Sequence, residues 1–108
     1  MKILPIDSKN THYTFRTTID DIPLVIRIDY NSRAATWYME IYDELESLLM
    51  GSRALVVGYN IFKNVDTENL PNGDIIVMNF LSTYTDPTLT SLGEDVKIIF
   101  ISEEKANA

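Results

Sequence analysis

The sequence contains no cysteine, which removes disulfide staples, thiolate zinc sites and cysteine nucleophiles together. It contains a single histidine, His12. Any imidazole catalysis or metal ligation would therefore rest on that residue with carboxylates and carbonyls around it. The four glycines, Gly51, Gly58, Gly73 and Gly93, stand far apart. They cannot form a phosphate-cradling loop and read instead as bend or turn residues. No G-x-S-x-G nucleophile elbow occurs. No apolar run reaches the roughly eighteen residues that a membrane-spanning helix requires, and no membrane partner is expected. The N-terminal MKILPIDSKN has one Lys and a short apolar patch broken by Pro5 and Asp7. That pattern does not make a secretory signal, so synthesis and use without export are expected.

Basic residues are also scarce. Nine Lys and Arg face sixteen Asp and Glu, a formal net charge of −7. The bases are scattered from Lys2 to Lys105 and form no stripe that could replace counterions on phosphate. An acidic balance repels nucleic acid at long range, so no stable nucleic-acid complex is expected. Hydrophobic residues make up 45% and charged residues 23%, the composition of an ordered globular chain. The length predicts one β domain over residues 1–108, with an ordered core over 2–102 and a polar tail over 103–108.

The dominant period is two. In Tyr13 to Ile19 the odd positions are mostly apolar and the even ones polar, and Pro23 to Tyr30 follows with Leu24, Ile26, Ile28 and Tyr30 on one face and Arg27 and Asp29 on the other. Asp20-Asp21 between them predicts a tight hairpin turn. Asn31-Ser32-Arg33 is turn chemistry, since Asn tolerates left-handed backbone angles. Thr36 to Tyr42 then places Trp37, Met39 and Ile41 on one face and Tyr38, Glu40 and Tyr42 on the other. Asp43 to Gly51, DELESLLMG, has helical propensity. A short strand closing onto Arg53 to Val57 is the favoured reading, because an isolated helix of that length is marginal. Tyr59 to Lys63 reads as extended. Leu70-Pro71-Asn72-Gly73 reads as a turn. Asp74 to Leu81 reads as a strand buried on both faces, and Val96 to Ser102 as the last strand. The fold class predicted is all-β: a small antiparallel β-sandwich or partly closed β-barrel of about seven to eight short strands.

The acid pairs Asp20-Asp21, Glu94-Asp95 and Glu103-Glu104 read as turn and solvation residues. Adjacent side chains on a strand point to opposite faces, and the calcium-loop pattern is absent. No cofactor, metal site or catalytic set is predicted. Trp37, Phe15 and Phe100 fall on rows with Leu and Ile and read as core. Tyr38 and Tyr42 lie on the opposite face beside Glu40, where tyrosines either make a contact surface for another protein or pack beneath a second layer. Stacked aromatics also leave open a small β-barrel that binds a glycan or single-stranded nucleic acid.

Four stretches, in register, resemble the baseplate plug proteins of contractile-tailed bacteriophages, the cyanophage plug among them. YNSRAATWYMEIYD (Tyr30 to Asp43) resembles their YN-x-R-x-x-x-W-[YFL] signature. LLMGSRALVVGYNIF (Leu48 to Phe62), LPNGDIIV (Leu70 to Val77) and DPTLTSLGEDVKIIFI (Asp86 to Ile101) are similar to three further blocks. The departure is at Glu44-Leu45-Glu46, where the family's pattern has an Asp-Gly turn. The resemblance implies a non-enzymatic structural component of the virion, made in the host cytoplasm and placed in the tail baseplate. It would pack as a plug or connector where tail tube meets hub and spike. Its partners would be tail tube, hub, spike and wedge proteins and symmetric copies of itself around the tail axis. Arg33, Tyr38 and Tyr42 are the candidate contact residues, with Arg33 also able to brace its turn through a carboxylate. Asn31, Trp37, Gly58, Pro71, Gly73 and Gly93 are the candidate turn and core residues.

Overall fold

A computed structural model describes residues 2–62, 70–71, 73–80, 86–87, 92–94 and 96–102. Among the described residues seven strands run in chain order: β1 (Lys2–Ile3), β2 (His12–Ile19), β3 (Ile22–Asn31), β4 (Thr36–Asp43), β5 (Leu48–Ala54), β6 (Gly73–Asn79) and β7 (Val96–Ser102). They form two antiparallel sheets, β2-β3-β4-β5 and β1-β7-β6. The sheets share no strand, so the molecule is a sandwich and not a closed barrel. The expectations for Lys63, Asn72, Leu81, Asp95 and the tail from Glu103 lie outside the described residues.

The period-two pattern sets the core. Leu24, Ile26 and Ile28 from β3 and Trp37, Met39 and Ile41 from β4 are buried, and they meet Ile75, Val77, Ile98 and Phe100 from the other sheet in one cluster. Tyr30 stands edge-on to Trp37 at 5.1 Å between ring centroids, a favourable aromatic geometry. The β2–β3 hairpin pairs Ile19 with Ile22 across two residues. Asp20 and Asp21 both hold positive φ, 50° and 65°, as a type I′ turn demands.

Loops close the flanks of the sandwich. On one side, segment 55–61 leaves β5 and runs along the β6 edge, with Gly58 N donating to Val77 O and Ile61 N to Ile75 O, both 2.8 Å. On the other, Lys2 Nζ donates to Thr18 O at 2.7 Å, carrying β1 across to β2. These links satisfy backbone groups that a sheet edge would otherwise present to other chains.

Three local expectations need correction. The strand after Gly73 is not buried on both faces: Ile75 and Val77 are buried, while Met78 and Phe80 are exposed. In a two-layer antiparallel sandwich only one face of a strand meets the core. The ladder of β5 ends at Ala54, so Leu48 and Arg53 share one strand and no hairpin separates them. The missing Asp-Gly turn is supplied by Asp43. Its carboxylate accepts the amides of Leu45 and Ser47, both at 2.9 Å, and Glu46 takes the left-handed position at φ 67°.

A candidate protein-contact face

The outer face of the four-stranded sheet is built by register. His12 lies opposite Asp29, Asp29 opposite Tyr38, and Tyr38 opposite Ala54. The next row out holds Thr14, Arg27 and Glu40, and the one after it Arg16, Val25, Tyr42 and Leu48. Side chains two apart on each strand thus share this surface.

A chain of polar contacts crosses three strands here. His12 Nδ1 lies 2.8 Å from Asp29 Oδ1. Arg27 Nε donates to Asp29 Oδ2 at 2.8 Å and lies 3.9 Å from Glu40 Oε1. The Tyr42 hydroxyl donates to Glu40 Oε2 at 3.2 Å. The hydrogen bond to Asp29 raises the Arg27 pKa above its ordinary value, and the Asp29 charge adds to it. Partial burial first, then the Glu40 carboxylate, raises that of the Tyr42 phenol. Both groups keep their protons at any physiological pH, so Arg27 and Tyr42 are fixed donors on this face.

Tyr38 and Arg33 line an open depression of about 620 Å³ together with His12, Asp29 and Ser52. Tyr42 lines a second, of about 210 Å³, with Thr14, Val25 and Arg27. The three contact candidates are therefore not one cluster: Arg27 and Glu40 stand between Tyr38 and Tyr42. Asn31, and not the Arg33 guanidinium, braces the β3–β4 turn, its Oδ1 accepting the amides of Arg33 and Ala34 at 3.0 and 3.1 Å. Among the described residues Arg33 makes no ion pair. Trp37 is fully buried, so the ring best suited to stacking a base or sugar is withdrawn from the surface. Gly58 and Gly93 hold positive φ, and Pro71 is buried. Gly73 opens β6, where an added Cβ would strike the carbonyl of Ile101.

The face offers hydrogen bonding and aromatic contact. Among the described residues no group of three His, Asp or Glu side chains could hold a metal ion. Residue-by-residue reading placed Arg27, Asp29 and Glu40 on the right faces but did not link them. The cross-strand register, fixed by the Asp20-Asp21 turn between β2 and β3 and by the Asn31-braced turn between β3 and β4, carries that information.

No curated protein is significantly similar to the chain. A family profile described as "Cyanophage baseplate Pam3 plug gp18" matches residues 1–103. With every described strand of the two sheets inside that match, the chain belongs to the cyanophage baseplate plug family.

Proposed function

We propose that the chain works without catalysis, as a plug or connector packed where the tail tube meets the hub or spike. Family membership carries this reading and gives the coarser role, a structural component of a phage tail baseplate. A rigid sandwich with a wide polar and aromatic outer face suits such packing. Interfaces draw on buried tyrosines and arginines surrounded by hydrogen-bonding rims. Arg33, Tyr38 and Tyr42 are the residues we assign to contacts with tube, hub, spike or wedge proteins. Copies of the chain repeat around the tail axis, each using the same patch. The net charge of −7 would keep DNA from adhering to any surface that faces the axial channel.

Cross-linking mass spectrometry on purified virions tests the placement. Links from the outer sheet face to tube and hub or spike subunits are expected. A chain found in capsids and missing from purified tails would overturn the proposal.

A further inference from the structure

Leu45 is the most exposed large apolar residue described, at 83% of its full accessibility. It crowns the β4–β5 turn between two acids, Glu44 and Glu46. The turn is not slack: Asp43 holds the Leu45 amide at 2.9 Å, and Glu46 sits at φ 67°. A leucine held out on a braced turn is a preorganised knob, since little loop freedom remains to be lost on docking.

A matching hole lies past the other end of β5. Arg53, Ala54, Val56, Tyr59 and Ile61 line a groove of about 230 Å³. Its floor is apolar, with Ile61 buried and Val56 and Tyr59 exposed at its rim. The volume falls below the roughly 300–1,000 Å³ of small-molecule sites, which favours one inserted side chain over a ligand. Arg53 has no carboxylate partner among the described residues, and it borders the groove. Glu44 and Glu46 beside the knob supply the opposite charge.

We infer that the Leu45 turn of one copy docks in the Arg53–Ile61 groove of the next, head to tail. This rests on the proposal that copies of the chain pack together in the baseplate, and it names the surfaces they use. Knob and groove stand at opposite ends of a seven-residue strand, about 20 Å apart. One copy cannot satisfy itself, and the contact is heterologous, the kind that closes into a ring when the rotation allows. Apolar insertion gives affinity, and the Glu–Arg rim fixes orientation.

The absence of cysteine makes the test clean. Leu45→Cys and Val56→Cys are made separately and together in the full chain. Under mild oxidation, mixing the two single variants yields a covalent dimer, neither single variant alone does so efficiently, and the double variant gives a ladder beyond the dimer. In parallel, Leu45→Asp weakens self-association in sedimentation at least about tenfold while leaving the unfolding midpoint unchanged. A double variant that stops at the dimer overturns the head-to-tail arrangement. Multimers that survive Leu45→Asp and give no mixed cross-link overturn this contact but leave copy packing in place. A chain that stays monomeric at every concentration overturns both.

Discussion

The Tyr13 hydroxyl donates to the carbonyl of Asp7 at 2.8 Å and accepts from the amide of the same residue at 3.1 Å. One side chain on the edge strand β2 thereby holds both backbone groups of an arm residue that has left β1. The arm carries Leu4 and Ile6 into the core, so the clamp connects an edge contact to burial between the sheets. Burial raises the Tyr13 phenol to about 12.

A stability change follows at high pH. The folded chain holds this proton above the ordinary tyrosine value of about 10, where the unfolded chain has lost it. The contribution is complete below pH 10 and fades as pH rises toward 12. Tyr42 shifts in the same direction and adds to the fall. Tyr13→Phe is expected to lower stability by about 1 kcal/mol at neutral pH and to flatten the decline between pH 10 and 12. Urea unfolding across that range checks both, and an unchanged slope would sink the assignment.

Gly93 holds φ 85°, and a Cβ there would run into the carbonyl oxygen of Ile6 and lie 2.6 Å from the Asp7 Cα. Both obstacles are backbone and cannot swing aside. Gly93→Ala is expected to cost at least about 2 kcal/mol. Gly51, in β5, has nothing within 4 Å of the same atom, and Gly51→Ala is expected to be neutral or to stabilise by up to about 1 kcal/mol. Paired thermal denaturation separates them, and equal effects at the two sites would refute the close approach of arm and turn.

The contrast between these glycines shows where reading the sequence stops. Strands β2, β3 and β4 follow from alternation, because one buried face imposes period two on the chain. The double burial expected for Asp74 to Leu81 rests on a near-continuous apolar run. Such a run cannot reveal that Met78 and Phe80 lie on the side away from the core. The β5 boundary escapes a sequence reading for another reason: Leu55 to Val57 favours a strand, and the chain leaves the ladder because Gly58 and Ile61 find partners on β6. Of the contact face, Tyr38, Glu40 and Tyr42 were legible as one row. Their links to Arg27, Asp29 and His12 depend on register across strands, and the groove beside Arg53 depends on a segment that no local pattern positions.

Asp20 and Asp21 occupy left-handed positions that Asn and Gly fill with less strain. Replacing the pair by Asn-Gly is expected to stabilise the hairpin by about 0.5–1 kcal/mol, partly by removing the repulsion between neighbouring carboxylates. Chemical denaturation of the double variant measures it. A loss of stability would show that the two acids make contacts stronger than the strain they carry.

Trp37 is fully buried against Tyr30, and its carbonyl accepts the Leu55 amide at 2.9 Å as the chain leaves β5. Its fluorescence is expected to be blue-shifted and indifferent to added sugars and oligonucleotides. Trp37→Ala is expected to cost about 3–5 kcal/mol, a large share of the roughly 5–15 kcal/mol that a domain commands. A red-shifted emission, or one quenched by an oligonucleotide, would return the aromatic-binding reading to consideration.

The polar chain on the outer face should matter little to the fold and much to packing. Arg27 and Asp29 are partly exposed, and ion pairs of that kind contribute about 0–1 kcal/mol. Asp29→Asn and Tyr38→Ala are each expected to change unfolding free energy by less than about 1 kcal/mol. The same substitutions remove a fixed acceptor and an aromatic anchor from the face proposed to meet other baseplate subunits. Incorporation of each variant into tails, measured against wild type in complementation, is expected to fall. If both variants fold normally and enter tails at wild-type levels, the contact surface lies elsewhere on the sandwich. The exposed apolar pair Met78, on β6, and Phe80, just past its end, would be the next place to test.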